Sequence, residues 1–309
     1  MRAALSAAFP DGESKYRFDE SLFGSFEDYD EMTTEMRTSI LRLTDEIDEP
    51  AAALVAGHLS LPGMQRLVDE RDTFTVLREP RARLLSHQLY WALRPVKDSY
   101  RGYKIELLSL DGLRPFLRND DAAHQHDNLM CRMLAANRCP LPIDRAMTEP
   151  ERAVAAAAAI EAVESLGLTT YLESPTMWQD VSAFVGAPIQ KVSVNVTQPR
   201  QGSATFFGPQ FDQATQELLH ERTAADAILF NHVVCATTGC TPAEAARLAD
   251  MHYVGQIERY ARVAAVTEQA VPPVDAPPTA APTIEPATPP SEPVSAPVVR
   301  RSWWQRAGR

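Results

Sequence analysis

The sequence predicts an α/β domain built on a parallel sheet, followed by an extended C-terminal segment. Three observations carry this. Two short apolar runs, Ala52–Ala56 and Thr73–Leu77, each lead through a turn into a helical pattern, the order of a βα unit. Helical segments with start and stop signals then surround one further strand-like run, Thr169–Leu172. From Val271 to Val298, ten of 28 residues are Pro, a composition that cannot bury a core.

Taken in order, residues 2–9 read as a helix stopped by Pro10-Asp11-Gly12. Residues 13–50 are acidic and aromatic and predict loops with a short helix over Thr33–Leu43. Ala52–Ala56 is a core strand ended by Gly57-His58, and Leu61–Val68 starts a helix. Thr73–Leu77 is a second core strand. Pro80 suits the first turn of the next helix, where its missing N–H is not needed, and Leu84, Leu85 and Leu89 give that helix an apolar stripe. Residues 91–125 read as irregular apart from a helix over Leu108–Leu117, and Asp127–Leu134 as a helix. Thr148-Glu149-Pro150-Glu151 is a capping box, opening a helix that runs to Leu166 and stops at Gly167. A helix over 176–186 sets Met177, Trp178, Val181 and Phe184 on one face. Lys191–Thr197 alternates as a strand, and 201–210 is a loop. Helices over 212–222 and 223–236 follow. A second capping box, Thr241 to Glu244, opens a helix to Val266 with Leu248, Met251, Val254, Ile257 and Tyr260 on one side. The expected organisation is a domain over 1–268, a Pro-rich disordered linker over 269–298 and a basic tail over 299–309. In the tail four arginines flank Trp303-Trp304, which suits weak contact with a membrane surface or a protein partner.

Composition narrows the function. The chain has 309 residues, 45% hydrophobic and 23% charged, ordinary for a soluble globular protein. A net charge of −11 argues against a nucleic-acid partner, while leaving room for a local cationic site. No run reaches the ~18 apolar residues of a membrane helix, and no signal-peptide pattern opens the sequence. Cys131, Cys139, Cys235 and Cys240 match neither a disulfide framework nor a zinc spacing, so reduced thiols in a cytoplasmic, at most membrane-peripheral, protein are expected. His124-Gln125-His126-Asp127 lacks a completing ligand set, and no metal is assigned.

The chemistry concentrates on one stretch. Arg78 emerges at the carboxyl end of the second strand, and Ser86 lies two turns into the helix that follows. Ligands of open α/β sheets bind at that edge, and a guanidinium suits a phosphate. His58 stands at the end of the preceding strand, so two parallel neighbours would bring His58 and Arg78 to one crevice.

Leu77-Arg-Glu-Pro-Arg-Ala-Arg-Leu-Leu-Ser86 resembles the 3′-phosphate-binding element of sulfotransferases, in which an Arg and a Ser eight positions apart hold the donor 3′-phosphoadenosine-5′-phosphosulfate (PAPS). The resemblance is to the carbohydrate branch containing heparan sulfate 2-O-sulfotransferase and its bacterial relatives, and it spans about residues 1–238. Its motifs follow in order: Gly57-His58, Arg78 to Ser86, Asn128-x-x-x-Arg132-x-Leu134, Asn195-Val-Thr197 and the Asp226-x-x-Leu229 helix. It implies a three-layer P-loop-like fold with a central parallel sheet, His58 as catalytic base, and Arg78 and Ser86 on the nucleotide. It also implies Asn128 and Arg132 beside donor and acceptor, and Arg200 in a late loop over the nucleotide. The acceptor would be a hydroxyl of a glycan or small molecule. Two departures stand out. Thr170 occupies a place where the family usually carries an acidic residue. The Pro-Lys-Thr-Gly-Thr-Thr type of loop that cradles the 5′-phosphosulfate, with the strand before it, has no counterpart in these residues. The expectation is therefore a PAPS-dependent sulfotransferase, with a catalytically impaired binding protein of the same fold as the alternative.

Overall fold

The computed structural model describes residues 4–5, 7–9, 14–19, 40–41, 52–58, 61, 68, 72–92, 112–120, 123–135, 138–142, 145–189 and 212–269. The chain divides into units Met1–Ala270 and Val271–Arg309, and every described residue belongs to the first. The expected strand over 191–197, the loop over 201–210, the Pro-rich linker and the basic tail lie outside the described residues.

The fold is mixed α/β, mostly helical, with short parallel strands. β1 (Ser14–Asp19), β2 (Ile40–Leu41) and β3 (Leu54–His58) form one sheet in the order β2-β1-β3. β4 (Phe74–Leu77) pairs with β5 (Leu168–Tyr171) in a second, with Leu77 opposite Tyr171. Every described pairing is parallel. β1 and β2 correct the expectation of loops and a helix before residue 50. The signal for β1 was present, since Lys15 and Arg17 alternate with Tyr16 and Phe18 at the period of a strand. The acidic surroundings hid it.

Nine helices complete the described fold: α1 (Pro80–Ala92), α2 (Leu113–Arg118), α3 (Ala123–His126), α4 (Leu129–Ala135), α5 (Glu149–Glu164), α6 (Met177–Val185), α7 (Gln213–Arg222), α8 (Ala224–Thr238) and α9 (Pro242–Gln269). Their ends follow local chemistry. Glu151 accepts from the Thr148 N–H at 2.7 Å, and Glu244 from the Thr241 N–H at 2.8 Å, so both expected capping boxes form. Gly186 and Gly239 end α6 and α8 at φ of 72° and 71°, a left-handed backbone that glycine adopts at little cost.

The β4–β5 pair is covered on both faces. Phe74, Val76 and Leu168 pack with Met177 and Val181 of α6, in a cluster that also takes in Ala4, Leu5 and Leu54. Leu77 and Tyr171 face the other way, into the core formed by α4, α5 and α8. The alternation is the period of two that a strand imposes. Small residues let α5 approach closely: Ala155, Ala156, Ala159 and Ala162 are all buried. A third cluster joins Leu84 and Leu85 of α1 to Phe116, Leu219 and Tyr253.

One helical stripe differs from the reading above. α9 buries Ala245, Ala249, Tyr253 and Gln256, while Met251 and Val254 are 68% and 51% exposed. Leu248 and Ile257 of the expected stripe do pack, partly buried, against the core, and the buried face is rotated from that stripe toward Ala245, Ala249 and Tyr253. No described helix is long and apolar enough to cross a membrane.

Candidate functional site

The site is built where β4 and β5 end. The strands are parallel and Leu77 stands opposite Tyr171, so the residues just beyond them emerge side by side. Arg78 follows β4, and Glu173 follows β5 by two residues. Arg78 Nε lies 3.7 Å from Glu173 Oε1, with the two side chains 27% and 14% exposed. Arg78 Nη2 donates to Gln256 Oε1 of α9 at 3.2 Å. Burial lowers the Arg78 pKa against the opposing pull of Glu173, and burial likewise raises that of Glu173 against the pull of Arg78.

Glu79 and Arg81 fix the start of α1. Glu79 Oε2 accepts from the Ala82 N–H at 2.6 Å, so its carboxylate caps the helix. Arg81 Nε donates to Glu79 Oε1 at 2.6 Å, its Nη1 to Asp250 Oδ1 at 2.9 Å, and its guanidinium lies 4.4 Å from the Tyr253 ring centroid. The pairing with Glu79 and Asp250 raises the Arg81 pKa overall, although burial, the largest single influence, opposes it. Arg81 therefore binds α1 to α9 beside Arg78.

A cavity of about 320 Å³ lies against this clamp, lined among others by Glu79, Arg81, His220, Phe230, Asn231 and Asp250. Its lining includes neither Arg78 nor Ser86. Burial lowers the His220 pKa, assisted by Arg81.

Several buried polar atoms near the ends of β4 and β5 lack a hydrogen-bond partner: Arg78 Nε, Thr170 Oγ1, Glu173 Oε2 and, on α9, Gln256 Nε2. Buried polar groups are nearly always satisfied, so such a group is left to pair with water or with a ligand.

The residues expected to act together are distributed as follows. Arg78 is at the carboxyl end of β4, and Ser86 is on α1, half-buried. His58 is the last residue of β3, which pairs with β1 and with no other described strand. The described ladders thus put His58 and Arg78 in two different sheets. What β3 and β4 share is the apolar cluster containing Leu54, Phe74 and Val76. Arg200 lies outside the described residues. Asn128 is buried at φ 50°, and its Oδ1 accepts from the N–H groups of Ala225 and Asp226. Arg132 is buried and donates to Asp127 Oδ2 at 2.5 Å and to the carbonyl oxygens of Asp127, Pro142 and Arg145. Both therefore support the fold. The residues that sequence reasoning passed over are Glu79, Arg81, Glu173 and Gln256. For Gln256 a signal existed: it is a lone amide on the same helix face as Ala249 and Tyr253.

Comparison of the chain with protein-family models, with curated proteins and with solved structures finds no match.

Proposed function

We propose that the chain is a sulfotransferase that moves a sulfuryl group from PAPS to a hydroxyl of a carbohydrate or other small acceptor, on a three-layer, P-loop-like α/β fold. The observation that carries this is Arg78. It stands at the carboxyl end of a parallel strand, partly exposed, with an Nε–H that makes no hydrogen bond, two residues before the helix that bears Ser86. That is the setting in which a guanidinium and a hydroxyl hold a nucleotide phosphate.

In the proposed reaction the acceptor oxygen attacks sulfur, the bond from sulfur to the phosphate oxygen breaks, and adenosine 3′,5′-bisphosphate departs. His58 takes the hydroxyl proton as general base. Arg78 and Ser86 fix the nucleotide through its 3′-phosphate, and negative charge developing at the transferring group is stabilised by nearby N–H donors and cations. A second reading, a binding protein of the same fold without turnover, is favoured by the described ladders, which put His58 and Arg78 in different sheets.

The test is calorimetric titration with adenosine 3′,5′-bisphosphate combined with an assay for radiolabelled sulfuryl transfer to a panel of glycans. The enzyme reading expects both binding and transfer, with Arg78→Ala losing binding and His58→Ala losing only transfer. Binding without transfer to any acceptor selects the second reading, and equal affinity in Arg78→Ala rejects both.

A further inference from the structure

We propose that Gln256 of α9 is a second ligand of the oxyanion site at Arg78, donating its amide N–H to the phosphate or sulfate group that the guanidinium grips. This rests on reading Arg78 as an anion-binding residue, and not on the identity of the nucleotide.

Gln256 is only 6% exposed. Its Oε1 accepts from Arg78 Nη2, and this fixes the amide, because the flipped orientation would set two donors against each other. The Nε2 arm is then turned away from Arg78 Nη2, and it is buried without a partner. Arg78 Nε is buried and makes no hydrogen bond, with Glu173 Oε1 3.7 Å away. Tyr253, one turn earlier on α9 and 7% exposed, packs its ring under Arg81. Neither side chain is adrift, since Arg81 ties α9 in place through Asp250 and the Tyr253 ring.

The charges around these donors are mixed. Glu173 reaches Arg78 from the turn after β5, and Glu79 is neutralised by Arg81. From α9, Arg259 acts on Arg78 and His252 on Glu173. The unpartnered atoms settle which ligand fits. Two donors, Arg78 Nε and Gln256 Nε2, stand against the single unpartnered carboxylate oxygen of Glu173. Such a set calls for a group rich in acceptor oxygens, a phosphate or sulfate monoester. α9 begins at Pro242, beyond the residues that resemble a known family, so this role is carried by contacts alone.

The experiment is calorimetry on the full chain with three probes: adenosine 3′,5′-bisphosphate, adenosine 5′-monophosphate and sodium sulfate. Gln256→Ala removes the donor, and Gln256→Glu substitutes a charge that pairs with Arg78 and keeps the helix anchored. Both variants are expected to weaken the bisphosphate by about tenfold or more, with the monophosphate changed by less than about twofold. Gln256→Ala is expected to add little to Arg78→Ala, because both act on one ligand group. Wild-type affinity in both Gln256 variants overturns the inference and leaves the donor reading standing. An equal loss for both nucleotides with sulfate binding unchanged also overturns it, since that marks a role away from the oxyanion. Gln256-dependent sulfate binding without nucleotide binding supports the inference and overturns the donor reading. Binding of none of the three probes overturns both.

Discussion

Asn128 and Asp226 each cap the helix to which the other belongs. Asn128 directly precedes α4, yet its Oδ1 accepts from the N–H groups of Ala225 and Asp226 at the start of α8, at 2.7 and 3.3 Å. Asp226 lies in the first turn of α8, yet its carboxylate accepts from Cys131 and Met130 of α4, at 2.8 and 3.2 Å. Both residues are fully buried. Two helix starts that would otherwise bury orphan donors therefore satisfy each other.

This exchange predicts a large and coupled cost. Asn128→Ala loses a cap worth ~0.5–2 kcal/mol and places a Cβ-bearing residue without a local hydrogen bond at φ 50°, adding ~1 kcal/mol. Asn128→Gly keeps the backbone conformation and should lose less. Chemical denaturation of the two variants, and of the double variant with Asp226→Ala, should show clear non-additivity; simple addition would mean that the caps act independently.

Asp226 also makes a pH prediction. Burial, the largest influence, raises its pKa, with Arg83 opposing. The folded chain therefore holds a proton that the unfolded chain, titrating near ~3.9, has released. That contribution is fully present below the unfolded pKa and is lost as pH rises through the folded one. Asp226→Asn cannot titrate, so the difference in stability between wild type and variant should shift in favour of the variant across that window. A constant difference over the acid range would show that the carboxyl does not titrate on unfolding.

The Arg78–Glu173 pair predicts tighter anion binding in acid. An anion bound at Arg78 lies near the Glu173 carboxylate and raises its pKa further, so protonation of Glu173 and anion binding favour each other. Affinity for adenosine 3′,5′-bisphosphate should rise as pH falls through the Glu173 titration, and Glu173→Gln should bind more tightly and remove that dependence. Calorimetry at several pH values checks this, and a dependence unchanged in Glu173→Gln would assign it elsewhere.

Arg81 should be the more costly arginine to remove. Its partner Glu79 has a side chain only 1% exposed, so Arg81→Ala leaves a carboxylate buried without its cation. Asp250, 66% exposed, adds little. We expect a loss of about 3 kcal/mol in denaturant unfolding, at the lower end for breaking a buried pair. Arg81→Lys should recover part of it, because the charge returns without the planar fork.

Gly167 predicts a clash with a remedy. A Cβ there would stand 2.8 Å from the Phe184 ring, which packs edge-on against Phe74 at 5.5 Å between centroids. Gly167→Ala should cost ~1–3 kcal/mol as overpacking. Phe184→Leu should offset part of that cost in the double variant, which thermal unfolding can read directly.

What could be read from the sequence follows the range of each interaction. The two capping boxes and the strand–Pro–helix order around Arg78 are set within a few residues. Both appear as expected. The partners of those elements are set by distant residues. Arg78 meets Gln256 across 178 positions, and Asn128 meets Ala225 across 97. No window of local periodicity contains both ends of such a contact. The same reason applies to Asn128 and Arg132, which the Asn-x-x-x-Arg-x-Leu resemblance sets beside donor and acceptor: their hydrogen bonds, to partners far along the chain and around Pro142, hold α4, α8 and that segment together. It also explains the strands, since propensity gives a strand its place in the chain and not its neighbour in the sheet.

The length of α9 has a mechanical consequence. Twenty-eight helical residues make a rod of about 42 Å, and the Arg81 clamp grips it at Asp250 and Tyr253, well short of its far end. The clamp acts as a fulcrum. Any tilt of a few degrees there would be multiplied along the helix beyond it into a displacement of ångströms. A pair of spin labels, at exposed Ala261 and at exposed Val154 of α5, would report such a tilt on ligand addition as a change in distance.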